Sequence, residues 1–586
     1  MTTTQPLDAD VLVIGAGPAG LSLANLLGLQ GVSVTVLEAL PELIDYPRGV
    51  GIDDESLRSL QTMGVVEQAL PFTTPAHIMR LVNGRGRLIT EIRPTTDEFG
   101  WPRRNAFIQP EVDRVLHEGL ARFPHVDVRF GHEASGITED ADGVTVTGAD
   151  ATGAEFTVRG RYLVGADGGR SRTRKHLGVD FDGQSPSTRW LVIDVRNDPI
   201  GTPNIYLGGD PARPYVSLGL PQAIRRFEFM LFDGESDSVA DDPAFLIDLL
   251  APHVPDPATI DLIRARVYTH HSRIAREFRR GRVLLAGDAA HLMPVWQGQG
   301  WNSGERDATN LAWKLAAVIR GTSADGLLDT YRDERHDHAR AMIDLSTAFG
   351  RVVKPTNRIV AGARDAAAAA LNALPRVRDH FAQMRYKPMP RYVTGVVVDA
   401  STLRPGRSEP EISRDLHARR TASRVSPVGT QLVQPRVTTA AGESVLLDDV
   451  IGYRWAVLQW GGNPERLFTE AQRETLRRLG ALLVSVRPDV QCGIDLPSDP
   501  DAIVVGDSTG RLKDWFDDRP TPVLFLRPDR FIAAATVAQL AGRALESLAT
   551  AVHLSADEQH EQHEQREQRE PTTTEAATDA ATRRAA

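Results

Sequence analysis

The start of the chain has the apolar pattern of a strand, a turn, a helix and a second strand. Asp10–Ile14 is a short apolar run, Leu21–Gly31 repeats apolar residues at helical spacing, and Ser33–Glu38 is apolar again. Gly15–Gly20 supplies the turn between the first strand and the helix. This order predicts the opening unit of a doubly wound α/β domain.

Two further patterns predict a separate sheet and then a return to the first domain. Alternation in Trp190–Asp194, Tyr215–Leu218 and Arg226–Met230 predicts half-buried strands of a mainly antiparallel sheet. Arg282–Ala286 is a short apolar run typical of a buried strand, and Asp307–Ile319 has apolar residues at helical spacing. The antiparallel sheet is therefore expected to be inserted between two segments of the α/β domain.

The last part of the chain predicts a third unit. An alanine-rich helical stretch leads to proline-rich turns around 388–408 and 425–436, which mark a boundary. Four apolar strands then alternate with helices, at Trp455–Trp460, Ala481–Ser485, Ala502–Val505 and Pro522–Leu526. The remainder repeats Glu, Gln, His and Arg without an apolar face, so a disordered tail is expected.

Composition favours small-molecule chemistry. The chain has 586 residues, a net charge of −10 and no clustered basic stripe, so no nucleic-acid partner is expected. It has neither a membrane-length apolar run nor a basic, cleavable leader, so no membrane partner is expected and the protein is predicted to be cytoplasmic. Cys492 is the single cysteine, which excludes a disulfide framework and a thiol metal site, and no metal is expected.

The Gly15–Gly20 turn has the spacing of a dinucleotide-binding loop. Its first two glycines let backbone amides approach a pyrophosphate at the helix N-terminus, and its third lets the helix pack on its strand. Glu38, at the end of the second strand, is placed to accept hydrogen bonds from ribose hydroxyls. An incidental glycine turn is the alternative. The candidate contacts are Gly15, Gly17, Pro18, Ala19, Gly20, Glu38 and Ala39.

A second glycine loop, Gly287–Gly304, lies about 270 residues later. Asp288 follows a buried strand, where a carboxylate is costly unless donors such as the ribityl hydroxyls of FAD reach it. The following helix directs its positive end towards the loop, where amides can stabilise negative charge on a reduced flavin. The alternative makes Asp288 an ordinary helix N-cap. The candidate contacts are Gly287, Asp288, Pro294, Gly298, Gly300, Trp301 and Asn302.

Two such distant loops suit the two ends of a long flavin dinucleotide, so bound FAD is predicted. With the turn at Asp167–Gly168, which could otherwise be a surface turn, they resemble the FAD-binding aromatic-ring hydroxylases of the p-hydroxybenzoate hydroxylase type over roughly residues 8–350. The resemblance implies that Asp167, Arg48 and Gln109 contact FAD. It also implies an FAD monooxygenase that consumes O2 and transiently bound NADH or NADPH and reacts through a flavin C4a-hydroperoxide.

Segments 44–55, 97–109 and 293–300 are similar to the branch of that family that acts on phenolic acids. This likeness implies ortho-hydroxylation of a hydroxyphenylpropionate, and of 3-hydroxycinnamate, to a 2,3-dihydroxyphenyl product in aromatic catabolism. The 2-hydroxyphenyl isomer stays open as substrate, and so does the choice between NADH and NADPH.

The third unit resembles the thioredoxin-like C-terminal domain of phenol hydroxylase relatives. It has Gly461–Pro464 where an active thioredoxin has its cysteine pair, so thiol exchange is excluded there. A packing or subunit-contact role is left, which keeps a homodimer open.

The substrate pocket is expected where the inserted sheet meets the second glycine loop. Candidates for its wall and for proton transfer are Tyr206, Tyr215, His291, Trp296 and Gln297. The alternative is that the aromatic residues belong to the core and the histidine is structural. A planar guanidinium matches a substrate carboxylate, and three arginines of the inserted sheet are equal candidates unless they are solvated edge charges: Arg213, Arg225 and Arg226.

The sequence as a whole predicts the α/β class, with a Rossmann-like FAD-binding domain, an inserted mainly antiparallel β-sheet substrate domain and a C-terminal thioredoxin-like domain. The expected boundaries are 1–75, 100–184 and 276–360 for the FAD domain, 76–99 and 185–275 for the substrate domain, 361–400 for a helical connector, 401–552 for the third domain and 553–586 for the tail.

Two other functional classes fit the same scaffold. One is a non-hydroxylating flavoprotein, either a reductase or a halogenase, although the Trp-x-Trp-x-Ile-Pro segment typical of flavin halogenases is missing. The other is a flavin-binding regulator whose third domain docks another protein.

Overall fold

The first sheet is built around the predicted opening unit. The computed structural model describes residues 6–46, 48–398, 426–494, 496–497, 499–519 and 521–555, and in it Ala9–Ile14 pairs in parallel with a strand on either side. Six strands follow the order Arg279–Arg280, Val283–Leu285, Glu155–Gly165, Ala9–Ile14, Val34–Glu38 and Val126–Phe130. Val144–Ala149 pairs antiparallel with the third of these strands, and Glu133–Glu139 pairs antiparallel with Val144–Ala149. The central strands are buried on both faces, which explains their near-continuous apolar runs.

Helices enter this sheet at the two glycine loops. Pro18–Leu29 begins directly after the first turn, with proline at a position where its missing amide costs nothing. The helix predicted from Asp307 begins earlier, at Gly300, and ends at Ile319. The earlier start has a local cause, because Gly298 takes a left-handed conformation (φ 63°) that ends the preceding turn. The remaining helices of this half are Asp54–Thr62, Val66–Ala69, Gln109–Gly119, Arg172–Leu177 and Thr330–Val353.

A second, seven-stranded sheet is formed by residues 79–92 and 189–269. Its strands follow the order Leu262–Thr269, Arg189–Val195, Ile224–Met230, Tyr215–Leu220, Ile205–Gly209, Met79–Asn83 and Leu88–Ile92. Both of its faces carry a buried apolar cluster, one against Trp296 and one against the helix Pro243–Leu250. The expectation of half-buried strands is therefore wrong, and the polar positions Asp194, Arg226 and Glu228 are buried.

Two small sheets join these parts. Gly51–Asp53, Arg104–Phe107 and Thr73–Thr74 form one, and Phe181–Gln184, Ser272–Ala275 and His291–Leu292 form the other. In each of them, a strand that adjoins the second sheet along the chain pairs with a strand that adjoins a loop of the first sheet.

The C-terminal part has its own seven-stranded mixed sheet. The strand order is Ser444–Leu446, Arg436–Thr439, Ala502–Asp507, Leu482–Pro488, Ala456–Trp460, Val523–Leu526 and Ile532–Thr536, so the four predicted strands are central. The connector contains the helices Arg358–Asn372 and Pro375–Ala382, and the C-terminal helices are Leu447–Ile451, Glu470–Arg478, Arg511–Asp517 and Ala541–Ala551. The predicted start of the third domain at 401 lies outside the described residues, and so does the tail predicted for 553–586 from residue 556 onward. Residues 553–555 are described and pair with residues 322–324, so the expectation of a disordered tail is wrong for these three.

No helix within the described ranges combines the length and the apolar character needed to cross a lipid bilayer.

Candidate active site

A cavity runs from the Gly15–Gly20 turn to the second sheet. Loops from distant parts of the chain form one part of its wall, through Gly17, Pro18, Ala19, Arg48, Gln109, Gly168, Gly287, Asp288, Gly298, Gly300 and Trp301. Apolar strand residues form another part, through Met79, Ile205, Leu207, Val216 and Leu218. The fold thus brings the glycine loops identified in the sequence to one concave surface.

The three glycines of the first turn have different roles: two are required by packing, and one lines the cavity. Gly15 has a φ of 108°, and a Cβ there would overlap the carbonyl oxygen of Ala166. A Cβ on Gly20 would overlap the carbonyl of Gly15, so these two glycines allow close packing of strand and helix. Gly17 has no heavy atom within 4 Å of a Cβ position and lines the cavity, which leaves room for a ligand against its backbone.

Glu38 lies at the end of its strand, as predicted, and is fixed towards the glycine turn. Its Oε2 accepts a hydrogen bond from the Ala16 amide (2.8 Å), and its Oε1 accepts one from the Leu40 amide (2.9 Å). The neighbouring Ala39 is exposed. The carboxylate is therefore held beside the first glycine turn by two backbone donors.

Asp307, which the sequence did not single out, holds the second glycine loop from behind. Its buried carboxylate accepts hydrogen bonds from the Gly287 amide (2.9 Å), from Nε2 of His291 (2.7 Å) and from Nε of Arg335 (2.8 Å). His291 is thus a buried partner of a structural carboxylate and is absent from the cavity wall. This corrects its candidacy as a proton relay, because its ring nitrogen is committed to fixing the loop.

The helix that begins at Gly300 points its N-terminus into the cavity, and Asn302 fastens it. The Asn302 amide donates to the carbonyls of Gly298 (2.7 Å) and Gly51 (3.0 Å) and accepts from the Asp53 amide (3.0 Å). Its side chain is therefore fully used within the protein. Its contribution to a ligand is limited to the unpaired backbone amides of the first helical turn.

Three residues of the wall are joined through the buried Asp113. Gln109 donates to Asp113 (3.0 Å) while its Oε1 accepts from the amides of Arg48 and Gly49, and Nε1 of Trp301 also donates to Asp113 (3.3 Å). Burial raises the pKa of Asp113 to about 7. The network explains why Arg48, Gln109 and Trp301, which are far apart in sequence, occupy fixed positions around the same opening.

Asp288 faces the cavity without a partner. No described residue donates a hydrogen bond to its carboxylate, and the side chain is exposed to the cavity. Burial raises its pKa, although His291 and Arg48 act in the opposite direction. A carboxylate in this state is poised to accept donors from a bound molecule. It does not act as the N-cap that the alternative interpretation suggested.

Asp167 and Pro294 are not among the residues that line the cavity, whereas the residues next to them are. The Asp167 carboxylate accepts from the amides of Arg172 (2.8 Å) and Thr173 (3.0 Å), so it fixes the start of the helix Arg172–Leu177. The carbonyl of Pro294 accepts a hydrogen bond from Ser346 (2.5 Å). Their neighbours Ala166, Gly168, Met293 and Val295 line the cavity instead.

The two tyrosines expected in the pocket wall lie on the other face of the second sheet. Ile205 and Leu207 face the cavity, so the intervening Tyr206 faces away and accepts from Arg80 (3.2 Å). Tyr215, next to the cavity-lining Val216, packs against His253. The expectation is wrong for both, because side chains alternate along a strand and the sequence did not reveal which face meets the flavin loop.

Of the two loop residues proposed for the wall, Trp296 lines the cavity. It packs edge-on against Trp190, with ring centroids 4.9 Å apart, and against His270 (5.3 Å). Gln297 is buried beside it, and its Nε2 has no partner among the described residues. Its Oε1 accepts a long hydrogen bond from Tyr386 (3.5 Å).

All three arginines considered for a substrate carboxylate are occupied. Arg213 pairs with Glu235 (2.7 Å), Arg225 pairs with Asp198, and Arg226 pairs with Asp194 (2.7 Å). The expectation is wrong because the second sheet and its connecting loops supply a carboxylate to each of them.

Two charged residues that the sequence did not single out line the cavity instead: Arg104 and Glu228. Burial raises the pKa of Glu228, its Oε2 accepts from the Tyr268 hydroxyl (2.7 Å), and Nε2 of His270 lies 3.2 Å from that hydroxyl. The alternation of apolar and polar residues in Arg226–Met230 could have drawn attention to Glu228. No signal marked Arg104, which follows Arg103 in the sequence and begins the short strand Arg104–Phe107.

The comparison with known families agrees with this geometry. A family profile described as "FAD binding domain" matches residues 8–346, which is more than half of the chain. The chain belongs to this FAD-binding family. A second profile, described as "HcaD C-terminal domain", matches residues 429–551.

Relatives of the FAD-binding family cover nearly the whole chain. A 3-(3-hydroxy-phenyl)propionate/3-hydroxycinnamic acid hydroxylase from Mycobacterium avium is 54% identical, over 91% of this chain and 90% of its own length. A relative of the same name from Paraburkholderia xenovorans is 49% identical, over 95% and 93%.

Among solved structures, the flavin-dependent monooxygenase PieE, in complex with FAD and substrate, superposes with a TM-score of 0.75 at 22% identity. It covers 94% of this chain and 100% of its own. Aklavinone-11 hydroxylase, with FAD and aklavinone, has a TM-score of 0.71 at 24% identity and the same coverage. These neighbours share the fold. Together with the named relatives, they make this chain an FAD-dependent hydroxylase.

Proposed function

We propose that this enzyme hydroxylates a hydroxyphenylpropionate, and the corresponding hydroxycinnamate, at the ring carbon ortho to the phenol, with NADH or NADPH as reductant and O2 as oxidant. The observation that carries the proposal is the continuous cavity, which joins glycine loops suited to FAD with a wall of apolar strand residues and two opposite charges. Relatives about 50% identical over most of the chain carry this substrate in their names.

The residues of the loop end fit FAD. Gly17, Gly168 and Gly300 have no side chain, so their backbone is accessible from the cavity. A Cβ at these positions would fill space that a ligand needs. We assign the pyrophosphate to the turn Gly15–Gly20 and its helix N-terminus, and ribose hydroxyls to Glu38. The flavin ring would lie against Gly298–Asn302. When bound, FAD supplies the oxygen chemistry, while the protein binds, orients and excludes water.

Replacement of Asp288 with alanine is expected to weaken FAD binding about 10-fold without destabilising the apoprotein. The carboxylate has no donor among the described residues, so its removal breaks no internal hydrogen bond. Fluorescence titration with FAD and thermal denaturation of the apoprotein measure the two effects. A large loss of apoprotein stability with unchanged FAD affinity would show that Asp288 is structural.

On the substrate end, Glu228 is placed to accept the phenol proton. Its raised pKa brings it closer to working pH than an exposed carboxylate, which favours proton acceptance. Tyr268 holds the carboxylate through its hydroxyl, and His270 extends the hydrogen-bonded chain. Loss of the phenol proton makes the ring carbon ortho to the oxygen more electron-rich, which hydroxylation requires.

Glu228→Gln is expected to lower the rate of hydroxylation about 100-fold while FAD affinity stays unchanged, because an amide keeps the volume but not the basicity. Single-turnover kinetics with preloaded substrate measures this rate. Glu235→Gln, which changes a carboxylate paired with Arg213 away from the cavity wall, is the matched control. A wild-type rate in Glu228→Gln would exclude a proton-accepting role.

The function itself is tested by NADH and NADPH oxidation with and without 3-(3-hydroxyphenyl)propionate, combined with product analysis. Substrate-stimulated oxidation with one catechol formed per nucleotide supports the proposal. Faster turnover of the 2-hydroxyphenyl isomer would reassign the substrate. Nucleotide oxidation without hydroxylated product would indicate a reductase, and a yellow protein that never oxidises either nucleotide would indicate a regulator.

We also propose the domain division expected from the sequence, with residues 76–99 and 185–275 as the substrate domain and the C-terminal unit as a thioredoxin-like domain. The strands at 79–92 and 189–269 support the first assignment, and the four central C-terminal strands support the second. With Gly461–Pro464 in place of a cysteine pair, the C-terminal unit has no thiol to exchange there.

A further inference from the structure

Arg104 is a buried cation without an acceptor. Its residue is 8% exposed, and within the described part of the chain its guanidinium makes no hydrogen bond and no ion pair. The other buried arginines of that part each donate to a carboxylate or a carbonyl, as Arg226 does to Asp194 and Arg306 to Glu55. An isolated buried charge is costly, so this position is built to meet an anion that the protein itself does not provide.

The neighbours of Arg104 are neutral. The His77 amide donates to the Arg104 carbonyl (2.9 Å), and burial, together with the charge of Arg104, lowers the pKa of His77 to about 3, so its ring is uncharged. Tyr386 also lies close, and burial raises its pKa. Asp53, opposite Arg104 in the small sheet, is already paired with Arg306 and Lys387. Among the described residues, no carboxylate forms an ion pair with the Arg104 guanidinium.

The strand register decides which end of the cavity Arg104 serves. Arg104 and Ala106 are two residues apart on one strand, so their side chains share a face. Ala106 belongs to the apolar cluster of Ile205, Leu207 and Trp296 at the second sheet, whereas the opposite face carries Phe107, which contacts Trp301. Arg104 therefore faces the substrate end and not the Gly15–Gly20 turn.

We propose that Arg104 binds the carboxylate of the phenolic-acid substrate and selects anionic side chains over neutral ones. The inference rests on the proposed function. A planar guanidinium suits a carboxylate, and a contact formed in a water-poor, apolar pocket is strong. Glu228 lies in the same cavity on a different sheet, so the two charges can hold opposite ends of one molecule and align its ring.

The test is calorimetric titration of the FAD-loaded protein with 3-(3-hydroxyphenyl)propionate and with its neutral amide. Arg104→Met is expected to weaken binding of the acid about 100-fold and to change binding of the amide less than about threefold. Arg104→Lys should recover part of the preference, since the charge returns without the planar fork. Arg213→Met is the matched control and should leave the acid-to-amide ratio unchanged.

Equal losses for acid and amide in Arg104→Met would overturn the proposal, since Arg104 would then be structural. An unchanged acid-to-amide ratio, with or without a loss of FAD, would overturn it as well. The proposed function would be refuted by a different result from the role of Arg104. A wild-type enzyme that prefers the acid but forms no hydroxylated product refutes the activity alone, whereas one that hydroxylates the phenol without preferring the acid refutes the role of Arg104 alone.

Discussion

Gly15→Ala is expected to give a protein that retains no FAD, with affinity lowered by at least about 1000-fold. The φ of 108° at Gly15 is strained for alanine, and the new Cβ would overlap the Ala166 carbonyl, a backbone atom that cannot move without displacing the neighbouring strand. The turn must open to relieve this overlap, which disrupts the row of backbone amides that we assign to the pyrophosphate. Flavin absorbance of the purified protein and titration with FAD measure the loss.

Gly17→Ala is the matched control for Gly15→Ala. Gly17 has an ordinary φ of −74° and open space at its Cβ position, so the apoprotein should fold with unchanged stability. Its methyl group would enter the cavity and weaken FAD binding without strain. Equal apoprotein stability of the two variants, or normal FAD content in Gly15→Ala, would contradict the division of tasks within the turn.

The second large effect is expected for Arg527→Met, which should lower the free energy of unfolding by about 3–5 kcal/mol. The fully buried guanidinium bridges Glu334 (2.7 Å) on the helix Thr330–Val353 and Asp529 (2.6 Å) in the C-terminal part. Its removal leaves Glu334 with Lys314 at 2.7 Å and takes away the ion pair of the buried Asp529. Chemical denaturation measures the change. Arg477→Met, which removes exposed ion pairs, should cost less than about 1 kcal/mol.

The same cluster predicts a pH dependence. Burial alone raises the pKa of Glu334, but Arg527 and Lys314 outweigh it and hold this pKa at about 2, below the ordinary value of 4.5. A lowered pKa means that the group stabilises the fold above pH 4.5 and that this contribution disappears as the pH falls towards 2. Arg527→Met should flatten the acid limb of the stability curve. Parallel curves for variant and wild type would contradict the assignment.

The glycine loops were predictable because their constraints are local. Gly15, Gly20 and Gly298 are required by φ values or by contacts with adjacent backbone, and such requirements leave the same residue at the same spacing wherever the turn occurs. Glu38 was predictable for the same reason, since it ends a strand that must follow the first helix. The resemblance added Arg48 and Gln109, whose placement depends on Asp113 and could not be derived from spacing.

The substrate end was not predictable, because it depends on which face of a sheet meets which loop. Tyr206 and Tyr215 satisfied the sequence pattern but lie one position out of phase with the cavity, beside Ile205 and Val216. A period of two allows either face to be the inner one, and the choice is made by packing against Trp296, more than 80 residues away in sequence.

The sequence by itself determined the cofactor class and the succession of strand, glycine turn and helix at the two loops, because hydrophobic periodicity and backbone constraints act over short distances. Only the tertiary structure decided which charges are free. Arg213, Arg225 and Arg226 are neutralised by Glu235, Asp198 and Asp194, which come from two loops and a neighbouring strand, whereas Arg104 has no such partner among the described residues. Pairing between distant side chains sets the electrostatics of the cavity, and no local pattern in the chain encodes it.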